Sequence, residues 1–567
     1  MSETNSMSGG EAAVRLLQAH GVKHVFGLCG DTSLPLYDAF ARLDHGITHV
    51  LTRDERHAAY MADCYARVTG RVGVCEGPSG GGATYILPGV VEANDSSIPV
   101  LAITTDISVS SRGRYTLTEL DQEALFRPLT KWNKVIDRAD EIPEVFRAAF
   151  RNMTSGRPGA AHIGLPFDVQ RDPVAADKVH GDARLGEFPS RRSGPDPRSI
   201  VEAAEALLSA KEPVFVCGGG PIIAGAEAEI AAIAELLEAP VASTVSGHGV
   251  IADDHPLAVG VVGSNGGTVP TRELLMGADL VCFVGCRAGS VTTERWRYPA
   301  PGKARILHID ADAAVLGANY RPEVGLLGDA RLVLTALLAE LKARIRETPK
   351  RTRGRAAVAA ARQAKFAAFD ELARSVERPI RPERVVATMN SLLGDDAVIV
   401  CDPGTPCPYF SAYYRFNRAG RHFISNRAHG ALGFSIAGAI GACFGRPQSK
   451  VVSVMGDGSF NFACGEFETV VRHKLPITFV VFSNDCYGWI KAGQKTGYEQ
   501  RYFSVDFGRT DHARVAEAFG LKAWTVEDPD ALEATLKRAL EDGGPTLVNV
   551  IAQPLHEARA PVSEWVA

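Results

Sequence analysis

The chain has 567 residues, of which 22% are charged and 46% apolar, with a formal net charge of −5. That length exceeds a single hydrophobic core and points to roughly three or four domains, and the near-balanced charge offers no basic surface, so neither nucleic acid nor membrane is expected as a partner. The eleven cysteines are scattered through apolar runs without a CxxC pair or zinc-type cluster, the opening MSETNSMSGGE has no basic stretch leading into an apolar core, and no long apolar run occurs, so a cytoplasmic protein with buried thiols is expected.

From 1 to 187, helical patterns such as EAAVRLLQAHG alternate with short apolar strands (HVFGL, ITHVLT, VGVCEG, VLAITTD, AHIGLP) that end in Gly, Pro or polar residues. This alternation predicts a parallel sheet with helices on both faces. The polar, proline-bearing FPSRRSGPDPRS opens a second region, 188–345, with the same habit: PVFVCGGG, a helix AEAEIAAIAELLEA, PVASTVSGHGV, ADLVCFVGC and ARILHID. A basic, Ala-rich stretch follows, and 346–378 reads as a solvated connector. The third region, 379–567, runs through RPERVVATMNSLL, AVIVCDPG, AHGALGFSIAGAIGACFG, VVSVMGDG, ITFVVFSND and TLVNVIAQ. The expected fold class is therefore α/β, with three consecutive doubly wound parallel-sheet domains.

In open α/β sheets, ligands sit beyond the carboxyl ends of the strands. VVSVMGDGS is a β-branched strand ending in Gly456-Asp457-Gly458, where glycines would permit a tight turn and backbone N–H groups could approach an anion, with Ser459 adding a hydroxyl. ITFVVFSND is the next strand and ends at Asn484. Successive strands joined by a right-handed crossover are neighbours, so Asp457 and Asn484 are expected to face one pocket. One carboxylate and one carboxamide oxygen form part of an octahedral magnesium site, completed by carbonyl, water and phosphate oxygens. The bland alternative, a turn and a strand-terminating polar cluster, suits GDG alone better than it suits the whole string.

GDG followed after about 26 residues by Asn resembles the cofactor motif of the thiamine-diphosphate-dependent enzymes, in particular the acetohydroxyacid (acetolactate) synthase and pyruvate oxidase branch. The resemblance extends over nearly the whole chain and implies a pyrimidine-binding, a central and a diphosphate-binding domain. It implies thiamine diphosphate and Mg2+ as cofactors, with Asp457, Asn484 and the main-chain carbonyl of Cys486 as metal ligands. TRDERHAAYMADCYARVTGRVGV is similar to the family pattern RHE…ADGYARxTGxxGV, which makes Glu55 the glutamate that activates the cofactor; a sheltered carboxylate there should have a raised pKa. Its alternative role is a helix N-terminal carboxylate that favours the helix dipole or pairs with Arg53 or Arg56.

FGLCGDTSLPLYDAF is similar to the family's FGxPGG…LPLYDA loop and brings Gly30 and Asp31 to the cofactor, with Cys29-Gly30-Asp31 in place of Pro-Gly-Gly. EGPSGGGATY resembles the GPGATN segment, with extra glycines and Tyr85 in place of Asn. The resemblance puts Gly430 and Leu432 under the cofactor, with His429 beside them, and Gly404 and Thr405 near the diphosphate, although Thr405 and Cys407 replace the usual Gln and His. Leu117-Thr118 replace a Phe-Gln pair. In the central domain, FAD or ADP is left open: VFVCGGGPIIAG is a weak glycine-rich signal, and Arg287 is kept where an acidic pair is lost.

The expected function is a 2-oxoacid decarboxylase/carboligase acting on a 2-oxoacid and a carbonyl acceptor by way of an enamine. The alternatives are another thiamine-diphosphate C–C lyase or hydrolase, acting on acyl-CoA or cyclic diones, and a non-catalytic regulatory relative. The resemblance further implies a homodimer as the minimum and a homotetramer as the expected assembly.

Overall fold

The computed structural model describes residues 6–346 and 353–564, so the first five residues and the connector positions 347–352 lie outside the described residues. The chain folds into two compact units, one of Met1–Arg191, Asn426–Pro447 and Gly465–His473, the other of Arg192–Ser425, Gln448–Cys464 and Lys474–Ala567.

The first unit is built on a six-stranded parallel sheet in the order Thr48–Leu51, His24–Gly27, Gly73–Gly77, Val100–Asp106, Ala161–Pro166, Trp132–Val135. Every residue of Val100–Asp106 and Ala161–Pro166 is buried, as a parallel strand covered on both faces requires. A short antiparallel ladder joins Ser6–Ser8 to Pro173–Ala175.

The helix Glu55–Thr69 runs through the interior of this unit. It starts at an Asp54 cap that accepts the Arg56 N–H, stops at Gly70 in the left-handed conformation (φ 70°), and is buried almost throughout. Two glycines let backbone touch it. A Cβ on Gly73 would lie 2.0 Å from the Ala62 carbonyl oxygen, and a Cβ on Gly441 would lie 2.0 Å from that of Met61. Gly441 belongs to the helix Phe434–Gly445, which follows the third-region strand Phe423–Ser425 in the chain but packs within the first unit.

The second unit holds two further six-stranded parallel sheets. One has the order Ala258–Val261, Val241–Ser243, Pro213–Cys217, Leu280–Val284, Arg305–Asp310, Val324–Leu327; the other Phe423–Ser425, Val398–Cys401, Val451–Gly456, Thr478–Ser483, Thr546–Ile551, Lys522–Val526. Three parallel-sheet α/β domains are thus present, as the β/α alternation implied.

The connector differs from expectation. Its helix Arg355–Ala373 buries Val358, Lys365 and Phe369, which fall on one stripe, and Phe369 stacks on Tyr413 with ring centroids 4.5 Å apart. The high alanine and charge content masked this narrow apolar face.

Candidate functional site

In the second unit, the strand Val451–Gly456 runs directly into the helix Asp457–Ala463, so GDG is a helix start and not the tight turn expected from its glycines; Gly456 is extended (φ −83°, ψ 162°). Asp457 is 1% exposed. Its Oδ2 accepts the backbone N–H groups of Asn484 and Asp485, each at 2.7 Å, and its Oδ1 accepts that of Gly458 at 2.9 Å. The neighbour relation is as predicted: Val451–Gly456 pairs in parallel with Thr478–Ser483, Gly456 opposite Phe482, and Asn484 follows directly. Burial pushes the Asp457 carboxyl up to about 6 despite the three amides that pull it down. No side-chain cation balances it among the described residues.

Several other predicted residues of the third region lie near this carboxylate, whereas Gly430 and Leu432 belong to the first unit. Thr405 is buried, and its Oγ1 accepts the Asn484 Nδ2 at 3.5 Å. The Cys486 carbonyl accepts the Gly488 N–H at 2.9 Å, and its thiol, pushed up to about 12 by burial, lies 3.4 Å from the Asn484 Oδ1. Gly458 is required by close approach: a Cβ there would stand 2.8 Å from the Tyr487 ring. Ser459 is buried in the first turn, and Gly404 precedes Thr405 with nothing within 4 Å of its Cβ position. Cys407 instead faces the core, with Sγ 3.5 Å from the Ser425 hydroxyl, so it does not replace the family's histidine at the site.

Among the described residues, no group of three His, Cys, Asp or Glu is set to hold a metal. A buried carboxylate without a balancing cation, a carboxamide oxygen and a carbonyl nevertheless make an oxygen donor set suited to a hard divalent cation. The residues therefore fit magnesium and a diphosphate.

In the first unit, Glu55 is the first residue of its helix and 7% exposed. Arg56 pairs with Asp54 (Nη2 to Oδ2 2.6 Å), and among the described residues no ion pair joins Glu55 to an arginine, whereas its place in the first turn still suits the helix dipole. Burial, with the charges of Asp54 and Glu76 added, holds the Glu55 carboxyl above the usual range. Gly82 makes room for it: a Cβ there would meet Pro78 at 2.4 Å and the Glu55 Oε1 at 3.1 Å. A Cβ on Gly30 would likewise meet Pro78, 2.4 Å from that residue's Cβ, while Asp31 is exposed and accepts the Thr32 N–H. Thr118, in the left-handed region (φ 69°), packs against Gly80 and shares a 2.7 Å hydrogen bond with the Ser79 hydroxyl. Tyr85 and Leu117 are exposed.

Two positioning carboxylates escaped the sequence reading. Glu466, fully buried, accepts the Arg53 N–H at 2.8 Å and the Thr469 hydroxyl at 2.7 Å, and lies 3.0 Å from His57 Nδ1, anchoring the chain at the start of the Glu55 helix. Glu92, also fully buried, accepts the Ala428 and His429 N–H groups at 3.2 and 2.7 Å and pairs with Arg67 at 3.1 Å. It thereby holds the loop that carries exposed Gly430 (φ 74°) and half-buried Leu432. The one available signal was a carboxylate flanked closely by apolar residues, as in GVVEA and ACGEF.

In the central domain, a Cβ on Gly218 would fall 2.1 Å from the Gly285 carbonyl oxygen, and Gly220 faces the same loop. Strand-to-loop packing accounts for those glycines without a bound diphosphate.

Comparison with known proteins follows this division. Residues 7–125 match the thiamine pyrophosphate enzyme N-terminal TPP binding domain, 200–337 the central domain, and 402–550 the C-terminal TPP binding domain. The chain is 34% identical to a probable acetolactate synthase large subunit of Methanococcus aeolicus over 97% of this chain and 92% of that protein. It is 31% identical to the acetolactate synthase isozyme 3 large subunit of Escherichia coli (strain K12) over 94% of this chain and 92% of that one. The chain belongs to the thiamine pyrophosphate enzymes, as an acetolactate-synthase-like enzyme that depends on thiamine diphosphate.

Proposed function

We propose that the protein decarboxylates a 2-oxoacid and joins the remaining fragment to a carbonyl acceptor, with magnesium held by Asp457, Asn484 and the Cys486 carbonyl. The observation that carries this reading is Asp457, a buried carboxylate tied to three backbone amides and to no balancing cation, beside two further oxygen donors. The names of the relatives support the carboligase direction over hydrolysis or acyl-CoA chemistry.

Thiamine diphosphate, when bound, supplies the electron sink for breaking or making a bond beside a carbonyl. The chain's own residues do the rest. Gly456, Gly458, Ser459, Gly404 and Thr405 receive the diphosphate through amides and hydroxyls, and Gly30, Asp31, Gly430 and Leu432 belong to the loops that seat the rest of the cofactor. Glu55, kept above the usual carboxylate range by burial, holds and moves the proton of the activation step. Glu466 and Glu92 orient without touching the reactants.

The proposal includes a cytoplasmic location, supported by the mostly buried cysteines, and a homodimer as the minimal assembly, with a homotetramer expected. No described helix is long and apolar enough to cross a membrane. Titration with thiamine diphosphate and magnesium, followed by circular dichroism, should saturate. A panel of 2-oxoacids with and without aldehyde or ketone acceptors should then yield carbon dioxide and a ligated product. Absence of binding, or carbon dioxide release without ligation under every acceptor, overturns the reading.

A further inference from the structure

The strand that delivers Asn484 ends on a buried polar trio that the proposed mechanism does not use. Ser483, the last residue of Thr478–Ser483, donates its hydroxyl to the Asn549 Oδ1 at 2.6 Å and lies 3.0 Å from the His512 Nδ1. None of the three is more than 3% exposed. A hydroxyl has a single proton, and here Asn549 receives it, so the ring contact is an Nδ1–H that donates to the Ser483 oxygen. The Asn549 Nδ2 reaches the Thr525 Oγ1 at 3.4 Å, which turns the carboxamide oxygen toward Ser483.

The same ring meets the other limb of the clamp. His512 stands edge-on to Phe460, with ring centroids 4.6 Å apart and planes at 77°. Phe460 belongs to the helix Asp457–Ala463, one turn past Asp457. One side chain therefore touches both the helix that opens on Asp457 and the strand that stops before Asn484. Its backbone is fixed as the first residue of the helix His512–Phe519, capped by Asp511.

Packing alone does not call for a histidine here. Nε2, left without a proton by this tautomer, is buried and has no hydrogen-bond partner among the described residues. Burial outweighs the pull of Asp485 and Asn549 and keeps the ring below the ordinary histidine range, so it is neutral. A bare buried acceptor costs stability, and a phenylalanine ring would pack on Phe460 without that cost. What the imidazole adds is the N–H donor to Ser483. The next two residues both give their backbone N–H groups to the Asp457 Oδ2, and the second, Asp485, is in the left-handed region (φ 56°). A non-glycine residue holds that conformation only where its surroundings fix it. Ser483 supplies the fixed end: its carbonyl accepts the Ala552 N–H at 3.0 Å, and its hydroxyl is held by Asn549 and His512.

We propose that His512 is a positioning residue of the metal clamp, which donates to Ser483 and packs on Phe460 and so sets the spacing of Asn484 and Asp457. The inference rests on the magnesium assignment proposed above, and His512 acts through Ser483 rather than on the reactants.

The test is a magnesium titration of thiamine diphosphate binding to the full-length protein, followed by circular dichroism, with no turnover involved. His512→Phe keeps a ring against Phe460 and removes the donor, and the magnesium concentration at half-saturation should rise about fivefold, the weight of one hydrogen bond. His512→Asn, whose carboxamide can place an N–H where Nδ1–H stands, should recover most of that loss. If His512→Phe does not fold, Ser483→Ala removes the acceptor instead and should show the same rise. Half-saturation in His512→Phe equal to wild type, or a His512→Asn as weak as His512→Phe, overturns the proposal. Asp457→Asn separates that failure from failure of the clamp. If it also leaves the magnesium dependence unchanged, the clamp reading falls and this inference with it; a loss in Asp457→Asn alone overturns this inference and leaves the clamp standing.

Discussion

Replacing Gly441 with alanine should separate two buried helices and, through them, disturb Glu55. The added Cβ would lie 2.0 Å from the Met61 carbonyl oxygen and 2.7 and 2.8 Å from that residue's carbonyl carbon and Cα, where ordinary contact begins near 3.4 Å. The obstacle is backbone, so no rotamer change relieves it, and the helices Glu55–Thr69 and Phe434–Gly445 must part by more than about 1 Å. Overpacking of this kind costs about 1–3 kcal/mol, and here the upper end applies. Alanine returns about 1 kcal/mol as the better helix former, for a net loss of about 2 kcal/mol. That corresponds to a fall of about 4–8 °C in thermal midpoint for a domain of this size. Glu55 begins the displaced helix, and misplacement of a reacting group by about 1 Å costs up to about 10²-fold in rate. Thermal unfolding and steady-state turnover would be measured on Gly441→Ala beside Gly497→Ala, whose Cβ would meet nothing within 4 Å. Equal midpoints and equal turnover for the two variants would refute the claim that this contact sets the position of the Glu55 helix.

Other outcomes can be checked independently. Glu55→Gln should leave the fold and cofactor binding intact while turnover falls by about 10²–10⁴-fold, the range for a lost proton-transfer group; full turnover would remove Glu55 from that role. Asp457→Asn keeps the shape but removes the buried negative charge, and the magnesium-dependent affinity for thiamine diphosphate should fall at least about tenfold, as read by titration; unchanged affinity would withdraw the metal assignment. His162 is fully buried, stacked on Phe126 at 3.6 Å, and pushed by burial down to about 3. Below the ordinary histidine value of 6.5 the unfolded chain takes up a proton that the folded chain refuses, so stability is lost as pH falls from 6.5 toward 3. The slope from this one group approaches about 1.4 kcal/mol per pH unit. Urea unfolding of His162→Gln at pH 4.5 and 6 should show a flatter dependence than wild type, and an identical slope would contradict the assignment.

Much of the third domain's site was legible because its signals are local. A β-branched run ending in Gly456-Asp457-Gly458 and another ending in Ser483-Asn484 identify strand ends, and adjacent parallel strands bring strand ends together. The glycines there were misread as a turn because glycine permits turns, whereas Gly458 is present for the approach of the Tyr487 ring. Cys407 could not be assigned by alignment to a family pattern, since the direction of its side chain depends on the packing of the helix Pro406–Tyr413.

The amino-acid order by itself determined the α/β class, the three sheets and the candidate roles of Glu55, Asp457 and Asn484, because strand patterning and strand-end residues are written within a few positions of one another. Only the tertiary structure decided which carboxylates are buried and whom they serve. Glu466 reaches His57 across 409 positions and Glu92 reaches His429 across 337. Burial sets the cost and the protonation of a charged group, and burial is a property of distant segments brought together, which no local pattern records.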